Sequence, residues 1–365
     1  MQHWWQKFLQ QAQKVYRYLL SWWLTTCRPA LSRAMHWLTQ RSAQTRWLWG
    51  SVAILVLLFS ALGLYWSQFP KLPNIVQLSQ VQAQEHDVQP VRGWALSYAL
   101  YYSMDTLLTK PGGFIRNDIS PPGIFMDDMP NWERGVIFMA RDLGRAMRRD
   151  FSRSQAQSLD DPNLREMEPL FNISMDSWIF PRAEAEYRTG LNHLQAYMLA
   201  VADEEQSQAQ FYARADNLAR WLADVETRLG SLSMRLSSSI GHQSLVTGLT
   251  GDPAASQSTA SQASEMQRTP WHEVDDVYFE ARGSAWALLL YLQAVEHDFA
   301  DVLERRNALP ALQQVMAELE MTQRKLRVPV VMNGSGVGLF ANHSLVMANY
   351  IARAQLGVRE LQELL

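Results

Sequence analysis

Hydrophobic residues recur along most of the chain at spacings of three and four, the period of amphipathic α-helices. The longest run is a coiled-coil-like seam over residues 211–236, which predicts a long helix packed antiparallel to a neighbour. Strand signal is scarce, and its best candidate is residues 328–332. The sequence therefore predicts an all-α, bundle-like fold with further helices near residues 94–108, 136–147, 187–201, 285–302, 312–326 and 340–356.

One segment is apolar without interruption. Residues 47–66 read WLWGSVAILVLLFSALGLYW and contain no charged side chain. A helix of this length spans about 30 Å, the thickness of the hydrocarbon core of a bilayer. Trp47, Trp49, Tyr65 and Trp66 stand at its two ends, where an aromatic belt is expected. The pattern predicts a single transmembrane helix.

Charge sets the expected direction of this helix. Residues 1–66 hold seven of the 33 basic residues and none of the 36 acidic ones. Because the basic flank stays in the cytoplasm, residues 67–365 are expected on the other side of the membrane. A cleaved signal peptide is the alternative, but the basic region is long and no small-x-small site follows the apolar core. We therefore expect an uncleaved signal anchor.

The tail, residues 1–46, combines an apolar Trp-rich helical face with a cationic face. This combination predicts a helix lying on the anionic cytoplasmic leaflet, with packing on a partner helix as the alternative. No nucleic-acid-binding signature accompanies the basic residues, so nucleic acid is not an expected partner. The residues expected to contact lipid are Lys7, Lys14, Arg17 and Arg28.

Composition predicts how the rest of the chain is divided. Residues 67–90 contain Pro and Gln with little apolar periodicity and are expected to be a linker. Residues 91–365 are expected to form the soluble domain. Within it, residues 237–270 hold eight Ser and only three charged residues, which predicts a long disordered loop. Residues 111–132 mix Pro and Gly with apolar residues, which predicts a packed loop of the kind that often carries function.

This packed loop and the helix start after it carry the candidate chemistry. Their carboxylates could perform acid–base work of the kind used in glycoside cleavage. The alternative is turn and capping chemistry, with Asn131 as a helix cap. The candidate catalytic residues are Glu133, Asp127 and Asp128, and the candidate ligand-binding residues are Arg116, Asn117 and Asp118.

Two other motifs are weaker. His272, Asp276 and Glu280 share a helix face, but the motif reads HExxD rather than HExxH, so an acidic helix start is favoured over a metal site. The glycine-rich residues 333–338 lack the third glycine of a dinucleotide fingerprint. The sequence therefore predicts neither a metal nor a cofactor. With Cys27 as the only cysteine, thiol catalysis beyond the membrane is excluded.

Three runs carry a family resemblance: GGFIRNDISPPGIFMDDMPNWERGV, DDVYFEARGSAWALL and NGSGVGLFANHSLVMANYIARA. They resemble an uncharacterised bacterial membrane-protein family, domain of unknown function 2333. The resemblance extends from the membrane helix to the C-terminus. It implies a Gram-negative inner-membrane protein with a periplasmic domain, and it supplies no catalytic residues.

Three functional hypotheses remain. The first is a non-enzymatic scaffold or adaptor of the cell envelope, with an envelope protein as partner. The second is a glycan hydrolase or lyase that acts on the cell wall through the carboxylates of residues 112–135. The third is a sensor, whose output would need a cytoplasmic partner because the tail is too short for a signalling domain.

Overall fold

The computed structural model describes residue 29 and residues 43–153, 160–203, 209–240, 242–245, 264–267, 269–326, 330–334 and 341–365. The chain forms two compact units, residues 1–62 and residues 63–365. The second unit holds a helical bundle, so the predicted all-α fold class is confirmed.

The first described element is α1, Ala43–Trp66. Within it, Trp47–Trp66 is long and apolar enough to cross a membrane, and its most apolar 18 residues contain no buried side chain. The predicted lipid-contacting residues of the tail lie outside the described residues.

The second unit is built from helices of about two to seven turns. The bundle consists of α2 Ile75–Glu85, α3 Trp94–Thr109, α4 Asp128–Ala146, α5 Pro162–Phe171, α6 Ala183–Ala202, α7 Ala215–Ser237, α8 Val274–Asp298, α9 Ala300–Arg305, α10 Leu309–Thr322 and α11 His343–Leu364. The predicted seam of residues 211–236 corresponds to α7, which packs chiefly on α11.

Helix α8 forms the centre of the bundle. It is apolar on nearly all sides and contacts α3, α4, α10 and α11. An all-round apolar helix must be covered by other elements to stay soluble. Trp286, Leu289 and Tyr291 are among its fully enclosed side chains.

Helices α4 and α8 approach each other more closely than side chains would allow. A Cβ atom on Gly135 would lie 2.1 Å from the carbonyl oxygen of Glu280, and one on Gly283 would lie 2.0 Å from that of Trp132. The backbones therefore touch where each helix carries a glycine. In this arrangement the first turns of both helices lie side by side.

The segment predicted to be a linker is folded. Within residues 67–90, α2 begins after Asn74, whose side chain accepts a hydrogen bond from the Gln77 N–H. Ile75, Ser79 and Ala83 are buried at four-residue spacing, while three of the four glutamines of α2 are exposed. A narrow buried stripe of small residues gives little apolar periodicity, which is why the sequence pattern suggested a linker.

The first residues of the second unit are also packed against its core. Trp66, Phe69 and Leu72 are partly buried against the core. A Cβ atom on Gly112, where φ is +88°, would lie 2.7 Å from the Trp66 ring. The indole therefore rests on bare backbone at a conformation that glycine adopts readily.

The predicted disordered loop, residues 237–270, lies mostly outside the described residues. Its described part includes the antiparallel strands β1 His242–Leu245 and β2 Ser264–Gln267, with His242 opposite Gln267. The strand predicted at residues 328–332 is described only from residue 330, and residues 330–332 are not a strand.

Candidate functional site

Glu133 lies on α4 with its side chain fully enclosed. Its Oε1 is 2.6 Å from Nζ of Lys110, which is also buried. The backbone N–H groups of Ile115 and Arg116 donate to the same carboxylate at 3.0 and 2.8 Å. Burial raises the pKa of Glu133, and the Lys110 ammonium opposes this rise. The geometry gives Glu133 the role of fixing the packed loop and leaves no carboxylate atom open to a substrate.

Of the three residues predicted to bind a ligand, Arg116 and Asn117 tie this loop to its neighbour, residues 172–182. Arg116 Nε is 3.1 Å from Asp176 Oδ1. The Asn117 amide donates to the Ser177 carbonyl at 2.9 Å and to Glu184 at 3.0 Å. Burial raises the pKa of Asp118, and the nearby Glu184 adds to this effect.

The two tied loops expose large apolar side chains. Phe125 is 82% exposed and Phe180 is 90% exposed. Surface apolar residues are ordinary when scattered, but six on two neighbouring loops form a group that suits docking. We call this group the apolar rim; its members are Ile119, Ile124, Phe125, Trp178, Ile179 and Phe180.

Four carboxylates meet where α4 and α8 begin. Asp127 precedes α4 and Asp128 is its first residue, while Asp275 and Asp276 lie in the first turn of α8. Carboxylate oxygens of Asp127, Asp275 and Asp276 lie within 4.8 Å of one another. We call these four residues the aspartate cluster. Carboxylates are favoured at helix N-termini by the helix dipole, and here two such termini coincide.

Asn131 links the two halves of the cluster. Its amide nitrogen lies 2.7 Å from Asp276 Oδ1 and 3.3 Å from Asp127 Oδ1. The sequence suggested Asn131 as a cap for a helix beginning near Trp132. In the structure α4 begins at Asp128, so Asn131 sits in the first turn and donates sideways to the cluster.

Crowding changes the proton affinity of two members. The pKa of Asp128 rises to about 6, first through burial and then through Asp275 and Asp127, while Arg282 opposes the rise. The pKa of Asp276 also rises to about 6, through burial and then through Asp127, which hydrogen-bonds it. Two carboxyls with pKa values near 6 can exchange protons close to neutral pH and could act as acid and base.

Carboxylate oxygens are also the ligands preferred by hard divalent cations. The structure joins Asp127 and Asp128 of one predicted motif with Asp276 of the other, and adds Asp275, which sequence reasoning passed over. The sequence feature that could have indicated Asp275 is the Asp-Asp pair at the start of each helix. That the two pairs meet follows only from the packing of α4 on α8. Glu280 is instead paired with Arg235 at 2.6 Å, and His272 is exposed.

The family comparison covers most of the chain. The family described as "Uncharacterized protein conserved in bacteria (DUF2333)" matches residues 40–365. No curated protein and no solved structure shows significant similarity to the chain.

Proposed function

We propose that the chain, which belongs to the DUF2333 family of bacterial proteins, is a membrane-anchored, non-enzymatic scaffold or adaptor of the cell envelope. In this proposal α1 spans the inner membrane, the tail lies in the cytoplasm and the helical unit faces the periplasm. The lack of charge along Trp47–Trp66 and the basic flank before it support this topology.

The apolar rim is the observation that carries the adaptor role. The loop of residues 111–132 is rigidly held from behind by the buried Lys110–Glu133 pair. On the opposite side of this loop Phe125 is exposed to solvent. Phe180 is exposed on the neighbouring loop, residues 172–182, which Asn117 hydrogen-bonds. Aromatic side chains held on ordered loops are the usual anchors of protein interfaces, because ordering them costs little extra entropy on binding.

Site-specific photocrosslinking in living cells tests this role. A photoreactive amino acid would replace Phe125 or Phe180, and the matched control would replace Arg165, an exposed residue on α5. We expect discrete adducts with one or a few envelope proteins from the rim positions only. Adducts with lipid alone, or equal adducts from the control position, would overturn the adaptor role.

A second candidate function, a carboxylate-dependent glycan hydrolase or lyase, is favoured by the aspartate cluster. The pKa values of Asp128 and Asp276 rise to about 6, so both carboxyls can exchange protons close to neutral pH, as general acid–base catalysis needs. Glu133 no longer belongs in this candidate site, because it is enclosed behind the loop.

Incubation of the full-length protein in detergent with isolated cell-wall sacculi separates the two functions. The adaptor proposal expects no soluble glycan fragments by mass spectrometry. Released fragments that disappear in Asp276→Asn, but not in Glu304→Gln at an exposed position of α9, would make the protein an enzyme and place its site at the cluster.

A further inference from the structure

A cavity of about 580 Å³ opens beside the end of α1. Residues 67–72, which follow α1 directly, form one wall, and α8 and the end of α10 form the others. A cavity of this size suits a small organic molecule. If α1 spans a membrane, the cavity lies within a few residues of the membrane surface.

Arg282 of α8 lines this cavity and is only 7% exposed. One of its Nη atoms donates to the Gln323 carbonyl at 3.2 Å, and its guanidinium lies 4.8 Å from the centre of the Phe69 ring. No carboxylate in the described part of the chain forms an ion pair with it, and its Nε has no acceptor there. Asp128 on the same wall attracts the guanidinium electrostatically without pairing directly with it. A buried cation that lacks a direct ion-pair partner is costly, so an anion in the cavity is the expected complement.

The other side chains of the cavity wall are suited to an anion that also has an apolar part. Lys71 and Lys325 add two exposed ammonium groups to the guanidinium. Asp128 is the one acidic residue of the lining, and its pKa is raised to about 6. The apolar part of the wall consists of Phe69, Leu72, Phe279, Trp286 and Leu326.

We propose that this cavity binds a phosphate group that carries an apolar substituent, with Arg282, Lys71 and Lys325 as its cationic ligands. Guanidinium and ammonium groups form strong charge-assisted hydrogen bonds with phosphate, and the apolar wall accommodates the substituent. The chemistry is shared by the headgroup of an anionic phospholipid and by a soluble phosphate compound. The lipid source rests on the proposed membrane anchoring; the anion site itself does not.

Calorimetric titration of the full-length protein in neutral detergent tests the site. The probes are dihexanoyl-phosphatidylglycerol, dihexanoyl-phosphatidylcholine and inorganic phosphate at matched ionic strength. We expect one phosphatidylglycerol per protein, bound at least about tenfold more tightly than phosphatidylcholine. Tighter binding of inorganic phosphate than of phosphatidylglycerol would keep the cationic ligands but overturn the role of the apolar wall.

Because Arg282 is buried, the two exposed lysines make the cleaner variants. Lys71→Ser with Lys325→Ser is expected to weaken phosphatidylglycerol binding at least about tenfold, and Asp128→Asn to tighten it. The matched control is Arg324→Ser, an exposed neighbour that does not line this cavity. Equal binding of the two lipids, or equal losses in the double variant and the control, would overturn the proposal.

Membrane anchoring is measured separately by flotation with vesicles of neutral lipid. Failure to float would contradict the proposed membrane anchoring and would not affect the calorimetric test of the anion site. Normal flotation without specific anion binding would contradict the proposed anion site and support the membrane anchoring.

Discussion

At the residue scale, the contrast between Glu133 and the aspartate cluster separates structural from chemically available carboxylates. Glu133 has a cation and two backbone donors, so its charge is fully used inside the protein. In the aspartate cluster the Asn131 amide lies close to one oxygen of Asp276 and one of Asp127, and no lysine or arginine forms an ion pair with the four carboxylates in the described part of the chain. The sequence alone does not distinguish Glu133 from the aspartates of the cluster. All of them lie near a helix start, where a carboxylate can point into the protein or out to solvent.

Removal of Lys110 should leave the Glu133 carboxylate buried without a cation. We expect Lys110→Met to lower the free energy of unfolding by about 3–5 kcal/mol in urea titrations followed by tryptophan fluorescence. The control, Arg165→Met, breaks an exposed pair with Glu166 and should cost less than about 1 kcal/mol. Adding Glu133→Gln to Lys110→Met should restore part of the loss; similar losses in Lys110→Met and in the control would contradict this view.

The raised pKa values of Asp128 and Asp276 should make stability depend on pH. An unfolded aspartate has a pKa of about 4, so the folded protein binds more protons between about pH 4 and 6. This contribution is therefore present at low pH and lost as the pH rises through 6.

Between pH 5.5 and 7.5 we expect the free energy of unfolding of the wild type to fall by about 0.5 kcal/mol per group, after allowance for solvent screening. Asp276→Asn should flatten the profile and raise stability at pH 7.5, whereas Glu304→Gln should leave it unchanged. If the free energy of unfolding depended on pH equally in the wild type and in Asp276→Asn, the raised pKa of Asp276 would be contradicted.

At the element scale, the crossing of α4 and α8 decides which distant residues meet. The sequence predicted both helices from their apolar spacing, but the spacing contains no information about partners. Gly135 and Gly283 allow the backbone contact and so align the two helix starts. The aspartate cluster and the Asp128 side of the cavity both follow from this alignment. The sequence therefore indicated the aspartates on each helix separately, but it could not show that they form one cluster.

Gly283→Ala tests the crossing. Helix propensity alone would make the change stabilising by up to about 1 kcal/mol. We expect instead a loss of about 3 kcal/mol or more in the free energy of unfolding, because the new Cβ meets a rigid carbonyl oxygen. Gly144→Ala on α4 is the control, since its Cβ would meet only the flexible end of Met167 at 3.3 Å. Equal tolerance of both changes would argue against the backbone contact.

At the scale of the whole molecule, the sequence predicted the helical class and the apolar helix because both depend on local periodicity and length. It did not predict the packing of residues 67–90, where Ile75 and Ala83 are too sparse to mark a buried face. Nor could it show that residues 67–72 form a cavity wall with α8. Such features depend on contacts between segments that are about 200 residues apart.

Cys27, the only cysteine, allows the proposed topology to be tested. In spheroplasts, a membrane-impermeant maleimide should label Cys27 only after lysis. In Cys27→Ser/Glu304→Cys, the exposed position on α9 should be labelled without lysis. The reverse pattern would place the helical unit in the cytoplasm and overturn the topology.

The packed junction after Trp66 determines how far the protein can reach. A flexible linker of the predicted length, residues 67–90, would let the helical unit wander through a layer roughly 25–30 Å deep. With Trp66, Phe69 and Leu72 held against the core, that slack is absent. In the proposed topology the unit therefore searches only the layer next to the membrane. Its encounters are concentrated in two dimensions, which favours partners that are themselves anchored in the same bilayer.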